Sequence, residues 1–450
     1  MFARLRNSRG YRKFTRNRGA MVALGVIGAY TAIFILVWFF GVLTRADARE
    51  RVLPRNTPGW LEKQSVEDRF NALTWYVESH LGSAIPSDLA TRPDAQDALR
   101  RAALGERRII DAPPERVLEL WADLRAKHKE TDDLFLDLED AENEILDIRL
   151  IIADTTSSGG PEDEIASLRE ELAELEPEAA QLRAEFESSL AGAEAALTEL
   201  MPMPKGWAGI VYGFRTFLGS NAIGQSISVH AFYSIKIAFQ IGLVVATACV
   251  VIGTALGAAA GFFGGWIDAL VMWLVSTLSS VPYLVLLAVL SFMFTGSQLF
   301  DNPVDRPELQ LVKLYVAMGL TFWVGTARVI RGEVMKIRSL EYVQAATAIG
   351  FSRPYIVVRH IIPNTFHLMF INFSLLFIAA IKNEVILSFL GLGVSGQPSW
   401  GAMINDAKDD LTNYFFWTVG SASVLMFGLV LAFNIVSDAL QDAFDPKHVA

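Results

Sequence analysis

The chain has 450 residues, 52% of them hydrophobic, with 39 Lys+Arg against 49 Asp+Glu and one cysteine, Cys249. A lone cysteine excludes a disulfide or a cysteine-based metal site within this sequence, and the six histidines show no close ligand spacing. The net charge of −10 is concentrated in an acidic stretch between residues 44 and 206, which argues against nucleic acid as the partner of that stretch, since phosphate binding needs a basic surface.

Residues 1–18 form a basic start with Arg4, Arg6, Arg9, Arg12, Lys13, Arg16 and Arg18. Residues 19–44 then carry no charge. At about 1.5 Å per residue this run crosses ~30 Å of hydrocarbon. It is longer than the apolar core of a secretory signal. It reads as a first, uncleaved span (TM1) with its basic start in the cytoplasm.

Residues 45–206 read as an acidic insertion. From Thr44 to Gly206 the sequence holds 19 Lys+Arg against 36 Asp+Glu, whereas the remainder holds 20 against 13. As far as about residue 116, six prolines imply short helices and loops. Beyond that, Leu124, Thr131, Leu134, Leu138, Ala141, Ile145, Ile148 and Ile152 recur mostly at three- and four-residue steps. The pattern resumes at Ile165, Leu168, Leu172, Leu175, Ala179, Leu182 and Phe186 after a Gly-Pro turn. Two apolar stripes of heptad type predict an antiparallel coiled-coil hairpin over about 117–200, each arm about 50 Å long. Pro177 is expected to kink or break the second arm.

Residues 207–450 supply five more predicted spans. Residues 237–267 and 268–300 are nearly continuous apolar stretches, split at the turn around Gly264. Residues ~308–330 make a weaker candidate, with Lys313 and Arg328 reaching toward opposite interfaces. Residues 360–381 and 411–437 are uncharged. Between the fourth and fifth candidates lie Arg328, Arg331, Lys336, Arg338, Arg353 and Arg359. Six spans with a cytoplasmic N-terminus put this basic loop in the cytoplasm, as the positive-inside rule requires, and the acidic insertion in the periplasm. The expected fold is an all-α membrane protein with six transmembrane helices, both termini cytoplasmic, and an extracytoplasmic insertion.

The basic loop reads Glu341-Tyr-Val-Gln-Ala-Ala-Thr-Ala-Ile-Gly350-Phe-Ser-Arg-Pro-Tyr-Ile-Val-Val-Arg359-His-Ile-Ile-Pro363-Asn364. It resembles the EAA loop of binding-protein-dependent ABC importers, with Gln344 where an acidic residue is usual. Its opening Glu-Tyr-Val and its ending Arg-His-Ile-Ile-Pro-Asn are similar to the dipeptide/oligopeptide permease family. So are Arg16-Asn-Arg-Gly19, Ala260 to Asp268, Leu387 to Gly393, Pro398 to Met403, and Ala432 through Lys447. Leu218-Gly-Ser-Asn-Ala-Ile-Gly224 resembles a further segment of that family, with Asn221 and Gln225 where Asp and Arg are usual. The resemblance covers roughly residues 10–43 and 207–450 and leaves out the insertion.

That resemblance implies a type I ABC importer permease, with the permease core at 207–450 and a coupling loop at 341–363. The implied coupling residues are Glu341, Gln344, Ala345, Ala346, Gly350, Arg353 and Pro363. The implied partners are a second homologous permease, two ATP-binding subunits and a periplasmic solute-binding protein. The residues themselves suit a coupling element. Ala345 and Ala346 permit close approach to a soluble motor, Gly350 permits a turn or tight packing, and Pro363 restricts the junction to the fifth span. No Gly-Lys dipeptide occurs, so no phosphate loop of the GxxxxGK type is present. The sequence suggests no enzyme active site, cofactor or metal.

Lys382 and Glu384 near the end of the fifth span read either as a gate or cavity charge pair or as interfacial charges with structural pairing. Asp268 reads as a helix-terminal carboxylate. For the hairpin, a docking arm and a stabilising clamp stand equally. A second reading of the whole chain is a membrane-anchored sensor or scaffold with a vestigial permease domain, whose hairpin binds a partner.

Overall fold

The computed structural model describes residues 15–49, 65–77, 112–159, 161–295, 307–394, 396–413 and 415–444, together with residues 52, 57, 59 and 110. The arginines before residue 14, most of the proline-containing part of the insertion, residues 296–306 and the C-terminal Asp445-Pro-Lys447 lie outside the described residues. The chain divides into two units, residues 50–226 and residues 1–49 with 227–450. These bounds lie a few residues beyond the start, and about twenty beyond the end, of the acidic stretch at 45–206.

Helix α1 (Arg18–Phe39) begins where Asn17 accepts a hydrogen bond from the Ala20 amide at 3.2 Å. It stops short of the full uncharged run, and a short helix, α2 (Arg45–Arg49), follows.

The unit at 50–226 is built on a helical pair. Helix α3 (Val66–Thr74) opens with a reciprocal capping box between Ser65 and Asp68. Helix α4 (Pro114–Ser157) has 44 residues, starting at a proline whose missing N–H costs nothing in a first turn. Helix α5 (Glu162–Leu200) has 39 residues. Pairs Arg149–Glu176, Arg183–Glu142 and Thr131–Ser189 run in opposite sequence directions, so the two helices are antiparallel. At ~1.5 Å per residue the arms are about 66 and 58 Å long, longer than the periodicity implied. Helix α5 continues through Pro177, which stands on its exposed face, where water can serve the carbonyl that loses its amide partner.

The stripe residues Leu124, Thr131, Leu138, Ile145, Ile148, Ala179 and Phe186 are buried, and the others are half-buried. At one end α3 packs on the pair through Phe70, whose ring lies 4.6 Å from Phe135 and 5.5 Å from Phe186. Arg69 grips Glu194 there, and the carboxylate holds the guanidinium pKa above its ordinary value. Helix α6 (Trp207–Thr216) leads to a tight turn. In it Asn221 Oδ1 accepts from the amides of Ile223 and Gln225, at 3.1 and 2.9 Å.

The second unit continues with α7 (Ile227–Phe263), α8 (Gly265–Ser279), α9 (Tyr283–Thr295) and α10 (Pro307–Arg338). The stretch expected as one span at 268–300 is broken. Helices α8 and α9 meet at 87° around Pro282, which lacks an amide donor and keeps Val281 out of the helical region. Helix α10 begins at about the predicted position, yet Lys313 does not snorkel, since it is 1% exposed.

Helix α7 is the centre of this unit. Gly253, Gly257 and Gly261 bring its backbone onto α10. A methyl group at Gly257 would lie 2.5 Å from the Ala327 carbonyl oxygen, and one at Gly261 would lie 2.8 Å from that of Arg331.

After α10 come α11 (Glu341–Ala348), α12 (Arg353–Ile356), a π turn at Val357–Ile361, a 3-10 turn at Ile362–Thr365, and α13 (Phe366–Phe389). Helices α14 (Trp400–Asp406) and α15 (Trp417–Phe444) follow. Phe377 of α13 stacks on Phe433 of α15 at 4.2 Å and meets Phe239 of α7 edge-on at 5.5 Å. Phe34 of α1 stacks on the other side of that cluster, 5.2 Å from Phe239.

Among the described residues, four helical stretches are long and apolar enough to cross a membrane: 18–39, 227–263, 353–389 and 417–443. The bent pair α8–α9 makes a fifth if it counts as one span.

Candidate functional site

The segment from Glu341 to Pro363 is a folded platform. Its inner face is apolar: Val343, Ala346, Ile356, Val357 and Ile361 are buried against Ala258 and Phe262 of α7 and Ile330, Val334 and Ile337 of α10. Burial of these side chains is what orders a segment containing only two short helices, since helices this short do not stand alone in water.

The candidate residues divide between the two faces. Glu341, Gln344, Ala345, Arg353 and Pro363 are exposed. Ala346 points inward, so of the two alanines only Ala345 offers close approach from outside. Gln344 donates through Nε2 to the Ser339 carbonyl oxygen at 3.1 Å, closing the turn that precedes α11. Gly350 has φ 91°, in the left-handed region that side-chain-bearing residues avoid. A Cβ there would meet nothing within 4 Å, so the glycine serves the turn and not tight packing. Pro363 lies in the 3-10 turn that carries the chain into α13.

The outer face holds residues that motif reading passed over. Ile349 is 75% exposed, and Tyr342, Phe351, Tyr355 and Val358 are exposed beside it in sequence. The rings of Phe351 and Tyr355 stack at 5.2 Å. Asn364 donates through Nδ2 to Tyr342 Oη and to the His360 carbonyl oxygen, both at 2.7 Å, and so ties the end of the segment back to its start. The signal available in the sequence was the apolar character of Ile349, Phe351 and Tyr355 in a loop otherwise rich in charge. A supported segment presenting an uncovered aromatic and aliphatic surface has the anatomy of a protein-docking patch.

Close to this platform α10 is braced. Arg331 makes two hydrogen bonds to Asp268 of α8, at 2.5 and 2.7 Å. The Asp268 carboxylate is thus engaged by a guanidinium, and the helix N-cap position is held by Gly264.

Lys382 and Glu384 do not come together. Two positions apart on a helix they point about 200° from each other. Glu384 is 2% exposed and accepts from Ser388 Oγ at 2.7 Å, with Ser399 at the start of α14 as a second hydroxyl partner. Ser388 Oγ in turn accepts from the Val394 amide at 3.2 Å. Lys382 is exposed and lines a cavity of about 790 Å³ bordered by the α8–α9 break, α10 and α13.

Comparison with known proteins places these features in a lineage. Residues 253–449 match the family described as binding-protein-dependent transport system inner membrane component. The chain is 32% identical over 232 residues to the dipeptide transport system permease protein DppC of Bacillus subtilis, covering 51% of this chain and 68% of that one. It is 33% identical over 237 residues to the oligopeptide transport system permease protein OppC of Mycobacterium tuberculosis, covering 52% and 77%. It is 30% identical over 233 residues to the glutathione transport system permease protein GsiD of Pectobacterium atrosepticum, covering 51% and 72%.

Proposed function

This chain belongs to the family of binding-protein-dependent transport system inner membrane components, and we propose that it is the permease subunit of an ATP-driven importer of di- and oligopeptides. It is a multi-pass protein of the inner membrane and a non-catalytic subunit, as its relatives are permease components. The observation that carries the coupling role is the uncovered patch of Ile349, Phe351 and Tyr355 on a segment whose inner face is anchored to α7 and α10. A motor pressing on that patch moves α10 and α13 directly.

The assembly holds a second homologous permease, two ATP-binding subunits that hydrolyse the nucleotide, and a periplasmic solute-binding protein. Six spans cross the bilayer, with α10 as the sixth beside the four long apolar helices and the bent pair α8–α9. Both termini and the 341–363 segment face the cytoplasm, and the acidic unit faces the periplasm. The basic residues before α1 and along α10 to α12 support this orientation. Nucleotide binding closes the ATP-binding subunits, and the segment converts that closure into alternating access.

The test is Gly350→Trp in the reconstituted transporter. A bulky side chain at positive φ redirects the turn, so the variant hydrolyses ATP and imports little peptide. Import at the parental rate, with normal assembly, removes 341–363 from the coupling path.

A further inference from the structure

The cavity at the α8–α9 break has one sign of charge. Its lining includes Arg328 from α10 and Lys382 from α13, and no Asp or Glu. Arg328 donates to Ser279 Oγ at 3.1 Å, which holds it toward the break, and among the described residues no carboxylate pairs with either cation. Cations without a counter-charge inside a membrane protein are costly unless a water-filled path or a ligand compensates them.

A second observation points the same way. Asn383, also in the lining, is 5% exposed. Its Nδ2 donates to the Ala379 carbonyl oxygen at 2.8 Å, while no described group donates to its Oδ1. A buried acceptor left open in the same lining as two cations suits a ligand that carries both an N–H and an anion.

We propose that this cavity receives the free C-terminal carboxylate of the peptide cargo, with Arg328 and Lys382 holding the carboxylate and Asn383 Oδ1 accepting an adjacent peptide N–H. The inference rests on the reading of the chain as a peptide permease and adds to it a preferred terminus. A volume of about 790 Å³ admits a peptide of a few residues. The apolar walls at Leu278, Leu286, Phe322 and Ile386 tolerate varied side chains, while the two cations fix one chemical feature that peptides share. Both cations stand in an open site, so they hold the carboxylate loosely enough for release, as a conduit requires. An anionic lipid headgroup shares the charge and lacks the adjacent amide N–H.

The test uses the complete transporter in phosphatidylcholine vesicles, with and without phosphatidylglycerol. It measures uptake of tetra-alanine and of its C-terminal amide, normalised to inserted protein. The same binding protein serves every arm, so its own preference cancels between variants. Arg328→Gln combined with Lys382→Gln is expected to lower the acid-to-amide uptake ratio about tenfold. Arg328→Lys combined with Lys382→Arg keeps the ratio, which separates loss of charge from loss of fold. An unchanged ratio in the double glutamine variant overturns the inference, and so does a ratio that follows phosphatidylglycerol content. Import of neither peptide by the parental transporter overturns the peptide reading itself.

Discussion

Arg331 and Asp268, 63 positions apart in sequence, are joined by two parallel hydrogen bonds at 2.5 and 2.7 Å, each side chain about one-quarter exposed. The pair fastens α10 to α8 next to the 341–363 segment. Bidentate geometry makes it stronger than an ordinary surface pair, and partial exposure tempers it. Asp268→Asn is expected to destabilise the purified protein by about 1–2 kcal/mol, read as a lower thermal midpoint in detergent. Asp268→Glu keeps most of the midpoint.

Ile349 is the most exposed apolar side chain of the platform and makes no part of its inner core. Ile349→Asp is therefore expected to leave the thermal midpoint within about 0.5 kcal/mol of the parent, as exposed substitutions do. A charge in the centre of a docking patch should nonetheless abolish co-purification of the ATP-binding subunits. Retention of those subunits at parental stoichiometry would move the docking patch elsewhere.

Glu384 presents the acceptor for two buried hydroxyls. Glu384→Gln retains an acceptor oxygen of the same reach and should change stability little. Glu384→Ala strands Ser388 and opens a void, at a cost of about 2–4 kcal/mol. The contrast between the two thermal midpoints is the measurement. Equal losses would mean that the carboxylate charge, and not its acceptor role, matters.

Asn221 organises its turn by accepting two amides, and its Nδ2 lies 3.3 Å from Gln225 Oε1. A neutral amide pair thus stands where the family resemblance leads one to expect Asp and Arg. Asn221→Ala should cost about 1–2 kcal/mol through the two orphaned amides. Asn221→Asp with Gln225→Arg should restore the turn, because aspartate accepts the same amides and gains a charged neighbour. Hydrogen exchange at Ile223 and Gln225 checks both.

The helical pair α4–α5 was legible because period and length agree over many turns. Part of the apolar stripe is buried, and the pair ran longer than expected because its ends away from the turn are held by further buried residues outside the stripe, Val117, Leu120 and Trp121 on α4 and Leu190, Leu197 and Leu200 on α5. The break at Pro282 was hidden inside an apolar run. Hydropathy sums over a window and does not register one missing amide. The platform was legible as a motif, but its faces were not. Ala345 and Ala346 are chemically identical, and only the position of α7 and α10 decides which one is covered. Lys382 and Glu384 illustrate the opposite case. Proximity in sequence suggested a pair, although helical geometry alone places them back to back. The burial of Lys313 had no sequence signal, since its long stem suits an interface as well as a core.

The glycine row on α7 has a mechanical consequence. Where side chains mesh, a push can be absorbed by rotamer hops and dissipated within a turn or two. Main chain lying against main chain, as at Gly257 and Ala327, has no such slack. The two rods therefore travel as one stiff plank, and a displacement entering at one end leaves at the other nearly undiminished.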